Sequence, residues 1–455
     1  MRVTSNLANN TLTKDIVYPF ANASFLAKHP PLCIEGGEDV YVTDSRGNRY
    51  LDGQGGLWNV NAGHGRAEIK QAIVEQLDKL SYYSAFGNTT TMPSIALAEL
   101  MCRFTATEGM KRVFFSSGGS EAVEAAIKLT RQFWRLSGQP DRTKFISLRN
   151  AYHGVTLGAL SLIGKTVYRE HYEPLLPGFY QIESPFLYRN PFTSNPIELG
   201  KICADLLERE IIYQGPNKVA AFIAEPIQGA GGVIVPPANF WPLVRNVCDR
   251  HGVLLISDEV VTGFGRSGSM FGCRRYGVKP DIMTFAKGIN SGYVPLGATM
   301  INERVAQAFE TDDESEFTPK AFMHGNTYAG HPLACAAGIA NLRIVEQENL
   351  PANAGEVGKY FLDRLNEIAP RHRNIGDVRG MGLMIGIELV ADKKTKRPFE
   401  LSERFGLRIW ERCVEKGVLI RNLADTFIIS PPLTLQKQHV DEMVDVFDSA
   451  ITAVE

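Results

Sequence analysis

Between residues 112 and 285 the chain alternates two textures, and this alternation constrains its fold more than any other feature. Short apolar runs at 112–116, 144–148, 219–224, 253–257 and 281–285 read as buried strands. Between them, 120–136 (Ala122, Ala126, Leu129, Phe133) and 240–251 place apolar residues three or four apart, the spacing of an amphipathic helix. Strand, helix, strand in repetition predicts an α/β fold with a mostly parallel sheet flanked by helices. Outside this region 67–80, 332–349 and 402–416 are helical in period. The segment 375–390 reads as strands around a Gly-rich turn, followed by VLIRN and TFIISPP. The ends therefore differ in texture from the middle. We expect a large α/β domain over 62–325 and a smaller α+β domain assembled from both termini, 1–61 and 326–455.

At 44% hydrophobic and 22% charged, the 455 residues carry enough apolar material for such cores, which excludes a disordered or fibrous chain. A formal net charge of −2 leaves no basic footprint for nucleic acid or an anionic membrane. No stretch is long and apolar enough to span a bilayer, and the first 20 residues lack a basic region leading into an apolar one. The seven cysteines are scattered without a C-x-x-C pair, so neither a disulfide framework nor a thiolate zinc site is implied, and a cytoplasmic location fits.

Parallel sheets hold ligands at the carboxyl ends of their strands, so the residues after each apolar run carry the functional information. After 112–116 comes SGGSEA: Gly118 and Gly119 let the backbone approach closely, and a helix start near Ser120 offers N–H groups and a hydroxyl to a phosphate. After 253–257 comes Asp258, an acid that needs a cationic partner at a buried strand mouth. Strand alternation turns Asp258 and Val260 to one side and Glu259 to the other. After 281–285 comes Lys287, after 219–224 Glu225, and after 144–148 Tyr152-His153-Gly154. An anion cup, an acid, an amine and an aromatic face in one crevice match the needs of pyridoxal phosphate.

FFSSGGSEAVEAA (114–126), YHG (152–154), AEPIQGAGG (224–232), DEVVTGFGRSG (258–268), PDIMTFAKG (280–288), HGNTYAGHP (324–332) and RGMGLMIGIEL (379–389) together resemble the class III aminotransferases of PLP fold type I. The likeness spans nearly the whole chain. It implies pyridoxal 5'-phosphate as cofactor, Lys287 as the Schiff-base lysine and Asp258 as partner of the pyridine nitrogen. It also implies Tyr152 and Val260 on the two ring faces, and the phosphate on Gly118, Gly119 and Ser120. Thr327 would reach the phosphate from the neighbouring subunit of a homodimer with shared active sites, and pairing of dimers into a tetramer is left open. Glu225 fits equally a hydrogen-bonded place beside the ring and a purely structural one, and Arg266 is kept off the catalytic set.

Two departures from the family pattern bear on substrate. Gly118 stands where relatives often carry Ser, which leaves more of the phosphate grip to backbone, and Val261 follows DEV where the acetylornithine branch has Gln. The likeness is therefore to the ω-amino acid and amine:pyruvate branch. It implies Arg421 as the carboxylate-binding arginine and Trp58, Phe86 and Tyr152 as pocket walls. The activity expected is transfer of an amino group from an amine or ω-amino acid to a keto acid such as pyruvate, with a 2-oxoglutarate-dependent transaminase or an aminomutase as alternatives. A P-loop hydrolase is the distant one: ALSLIGKT (159–166) fits a relaxed phosphate-loop pattern, but its apolar residues fit a helical face better. No H-E-x-x-H or comparable cluster suggests a metal.

Overall fold

In the computed structural model, which describes residues 16–315 and 317–455, three short strands come first: β1 (Ile34–Glu38), β2 (Tyr41–Asp44) and β3 (Arg49–Asp52). Six more and their reversed neighbour form the centre: β4 (Met110–Ser116), β5 (Lys144–Leu148), β6 (Phe179–Ile182), β7 (Val219–Ala224), β8 (Leu254–Asp258), β9 (Ile282–Phe285) and β10 (Gly297–Asn302). They make a seven-stranded sheet in the order β4-β10-β9-β8-β7-β5-β6. All neighbours from β9 to β6 pair in parallel, and only β10 runs antiparallel, against both β9 and β4. The fold is thus the expected mixed α/β class.

Sequence periodicity places β5 and β7 to the residue and starts β8 and β9 one residue early. It finds neither β6 nor β10. β6 is a four-residue edge strand that is mostly half-buried, and β10 opens on Gly297-Ala298, so neither presents the branched apolar run that marks a buried strand. Helices cover both faces of the sheet. In β8, Leu255 packs with Leu199, Leu207, Val244 and Val247 of helices Pro196–Gln214 and Phe240–His251, while Leu254 and Ile256 pack with Val123, Ala126 and Ile127 of helix Gly119–Leu136. Strands buried on both faces have no polar side, which is why they read as continuous apolar runs.

The C-terminal strands are β11 (Ile375–Gly380), β12 (Ile385–Leu389), β13 (Val418–Leu419), β14 (Arg421–Leu423) and β15 (Thr426–Ile429). β11, β12, β15 and β14 form an antiparallel sheet, whereas β13 pairs in parallel with β3, so residues from both ends of the chain share one sheet. Helices Leu350–Ile368 and Lys437–Thr452 add Phe361, Leu365, Val444 and Phe447 to the core behind it. Residues 1–15 of the terminal domain expected from sequence, and Glu316, lie outside the described residues. No helix among the described residues is long and apolar enough to cross a membrane.

Arg266 ties these regions together. It is wholly buried; its guanidinium donates to the Leu383 carbonyl (3.1 Å), the Pro431 carbonyl and Asn61 Oδ1 (2.9 Å). Burial pushes it down to about 9. Its partners are backbone and amide oxygens from three distant segments, which gives this arginine a bracing role.

Candidate active site

The five strand mouths open on one crevice because β4, β5, β7, β8 and β9 all point the same way. Asp258 ends β8 and is buried. It accepts hydrogen bonds from Thr284 Oγ1 (3.1 Å) and the Val260 N–H (3.1 Å), and its second oxygen lies 2.7 Å from His153 Nδ1. His153, named in YHG from sequence without a role, thus takes up the second oxygen of Asp258. The His153 side chain is also wholly buried, and its Nε2 has no partner. Glu259 faces elsewhere, as alternation requires: it accepts from Thr262 Oγ1 (2.5 Å) and the N–H groups of Gly272 (2.8 Å) and Cys273 (2.7 Å).

Lys287 follows β9 in a single 3₁₀ turn with φ of 48°, a left-handed conformation that an unbranched L-residue adopts at a cost. Burial pushes its amine below the ordinary lysine value, the Asp258 and Glu225 carboxylates pull it back up, and Arg421 adds to the depression. Glu225 is buried and accepts from the N–H groups of Tyr152 (3.0 Å) and Gly229 (2.8 Å). Desolvation raises it to about 7 despite those bonds and the nearby His153. Tyr152 is half-buried, edge-on to Tyr168 at 5.5 Å. Arg421, half-buried in β14, makes no ion pair among the described residues; its charge is felt by Tyr152, Tyr168 and Lys287.

The glycine turn behaves differently at its two positions. A Cβ on Gly119 would meet Val260 at 3.1 Å, so close approach is needed there. A Cβ on Gly118 would meet nothing within 4 Å, and its backbone is extended, so packing does not require glycine at 118. That open space lies ahead of an 18-residue helix whose first N–H groups have no intrahelical acceptor. Ser120 Oγ accepts from the Val155 N–H (3.1 Å), which leaves its own proton free to donate. Gly154 closes over it with φ of 122°, where any Cβ would sit 2.6 Å from that oxygen.

Trp58 is buried against Ile227, Val233, Met384 and Ile428, with Val261 at the edge of the same cluster. It abuts Gly229, whose added Cβ would lie 2.8 Å from the indole. Phe86 and Thr327 are not in this cluster. Phe86 is 53% exposed and lies against Gly325; Thr327 is exposed, and its carbonyl accepts from the Tyr82 hydroxyl (2.6 Å). Helix Leu157–Ser161, with Leu160, Leu162 and Ile163 buried, occupies the stretch that a phosphate loop would need, which disposes of the nucleotide-hydrolase alternative. No metal-binding group of His, Cys, Asp and Glu occurs among the described residues.

The Aminotransferase class-III family model matches residues 24–451. The chain belongs to the class III aminotransferases. A solved amine transaminase from an uncultivated Pseudomonas species, in PLP-bound form, is 48% identical with a TM-score of 0.94, covering 97% of this aminotransferase and 99% of that chain. An (S)-enantioselective ω-transaminase from Thermomicrobium roseum is 41% identical, covers 96% of both chains and has a TM-score of 0.92. The putrescine–pyruvate aminotransferase of Pseudomonas aeruginosa is 39% identical over 427 residues, 94% of this chain and 91% of its own. The cofactor of this aminotransferase is pyridoxal phosphate. The site fits it: a depressed amine, a buried acid already held by neutral donors, and open room at a helix start supply what an aldehyde, a pyridine nitrogen and a phosphate each require.

Proposed function

We propose that this aminotransferase moves an amino group from an amine or ω-amino acid to a small keto acid, pyruvate in the first instance. The observation that carries the reading is Arg421: a half-buried guanidinium without an ion pair among the described residues, within electrostatic reach of Lys287 and beside Tyr152 and Tyr168. A desolvated cation of this kind suits a carboxylate that comes and goes, whereas an amine donor without a carboxylate leaves it unused. The amine transaminase and the putrescine–pyruvate aminotransferase described above support the same choice.

Bound pyridoxal phosphate supplies an aldehyde that links reversibly to amines and a ring that draws electrons from the adjacent carbon. Lys287 Nζ, whose proton affinity burial lowers, would be the group that carries the proton away from the donor carbon and back. Asp258, oriented by Thr284, Val260 and His153, would hold a proton on the ring nitrogen. Tyr152 and Val260 would bracket the ring, and the N–H groups at Gly118, Gly119 and Ser120, with the Ser120 hydroxyl, would hold the phosphate. Glu225 orders the backbone under Tyr152 and would lie buried beside the ring. Trp58 walls the donor pocket.

The active enzyme is a homodimer in this reading. Thr327 and Phe86, exposed beside Tyr83, Met323 and Tyr328, belong to a face that completes the site of a second copy. The division into 62–325 and a terminal domain of 1–61 with 326–455 belongs to the same reading, supported by the pairing of β3 with β13. Single-turnover rates with a panel of amines, followed by pyruvate or 2-oxoglutarate, test the function. Amination by ω-amino acids and simple amines with pyruvate as the faster acceptor is the expected result; a strict requirement for 2-oxoglutarate would overturn it.

A further inference from the structure

Two cations from different parts of the chain grip one loop beside the pocket, and none of the roles assigned above uses them. The loop runs from Gly229 to Val233 and is closed at its base by a two-way backbone pair between Gln228 and Ile234 (3.1 and 2.9 Å). Its conformation is costly: Gly232 has φ of 115° and Val233 φ of 54°, and a β-branched residue stays there only when its surroundings hold it. Lys165 Nζ donates to the Ala230 carbonyl (3.1 Å), and Arg379 Nε donates to the Gly232 carbonyl (2.8 Å).

Arg379 is itself anchored. It pairs with Asp377 (2.7 Å) and Glu388 (2.8 Å), and Glu388 also pairs with Arg189. The small residue Gly386 lets β12 press on the same point, since a Cβ there would lie 2.9 Å from the Gly232 carbonyl. Lys165 lies three residues before Tyr168, the ring packed on Tyr152, so its hold couples the loop to that wall as well. Burial lowers the Lys165 amine, partly offset by Glu225 and Glu388, as befits a charge enclosed near the site and not a solvated surface lysine.

What the loop carries is functional. Gly229 supplies the N–H that Glu225 accepts and the bare Cα against which the Trp58 indole rests. Ala230 and Gly231 are half-buried, whereas the residues on either side of them are buried. We propose that Lys165 and Arg379 are positioning residues that hold the Gly229–Val233 loop rigid, and so set how sharply the pocket beside Trp58 discriminates amines by size. A wall held from two sides rejects an oversized group at the cost of strain; a loosened one yields.

This rests on the amine-transaminase reading, and the test separates the two. A small aliphatic and a bulky aryl-alkyl amine are chosen that the wild-type holoenzyme separates by about a hundredfold in kcat/KM, the upper range for one apolar pocket. In Lys165→Met that ratio moves toward unity by about tenfold, with kcat for the small amine held within about twofold and its KM raised. Lys165→Arg, which keeps a donor for Ala230, restores the ratio, and Arg379→Gln reproduces the loss. An unchanged ratio, or equal losses for both amines, overturns the proposal. Misfolding of both Lys165→Met and Arg379→Gln overturns it too, because the two cations then serve stability alone. A wild-type enzyme that aminates with neither compound refutes the substrate reading instead.

Discussion

Asp258 receives neutral donors on one oxygen and His153 on the other, so an amide in its place keeps the geometry and loses the charge. Asp258→Asn is expected to retain cofactor while kcat and kcat/KM fall together, since the charge acts in the transition state; unchanged single-turnover rates would remove Asp258 from the chemistry. Arg421→Ala separates substrates instead. Losing a desolvated guanidinium–carboxylate pair costs about 2–5 kcal/mol, so rates with pyruvate and ω-amino acids drop steeply while simple amines are spared. Equal losses for both donors would make Arg421 a structural cation. Glu225 gives a pH signature. Its carboxyl sits at about 7 against an ordinary 4.5, so between those values the native protein binds a proton that the unfolded chain releases. Stability from this group is therefore full below about 4.5 and declines as pH rises through about 7, by at most on the order of 3 kcal/mol. Glu225→Gln flattens that part of the Tm-against-pH curve; an identical slope in both proteins would refute the assignment.

At the scale of elements, the junction from β4 into helix Gly119–Leu136 depends on a second turn pressing onto it. Gly154→Ala forces a Cβ to within 2.6 Å of Ser120 Oγ at a left-handed backbone position. The substitution is expected to weaken cofactor retention, read by dialysis against free phosphate, more than it lowers the Tm of the apo-protein; equal retention would show that Ser120 has no part in the phosphate grip. Such junctions explain what could be read from sequence. Asp258 and Lys287 stand out because a polar residue within two positions of the end of a buried apolar run is conspicuous, and parallel strands bring such residues together whatever lies between them. His153 does not stand out, because its partner is 105 residues away and one histidine beside a tyrosine has no period to betray it. β1 is invisible for the opposite reason: every residue of IEGGE is exposed, so no alternation is imposed on it. Lys165 and Arg379 grip carbonyls, and a carbonyl has no letter in the sequence.

For the whole molecule, the exposed face around Tyr83, Phe86, Met323 and Tyr328 is where a second copy is expected. Tyr328→Glu puts a charge into that contact; sedimentation should show monomers, with turnover lost in step because Thr327 can no longer serve its partner. A fully active monomer would refute the shared site. Arg266 bears on a different matter, the order in which the molecule comes into being. Every strand of the seven-stranded sheet has been synthesised once residue 302 is made, yet the Arg266 guanidinium then has only Asn61 and still lacks two of its acceptors, the carbonyls of Leu383 and Pro431. Burying a guanidinium short of two of its acceptors is costly, so the Arg266 turn is expected to close only after residue 431 has been made. Chains that end before residue 431 are therefore expected to carry no borohydride-fixed cofactor on Lys287 once free pyridoxal phosphate is removed; fixed cofactor in such chains would show that the site closes without the Arg266 brace.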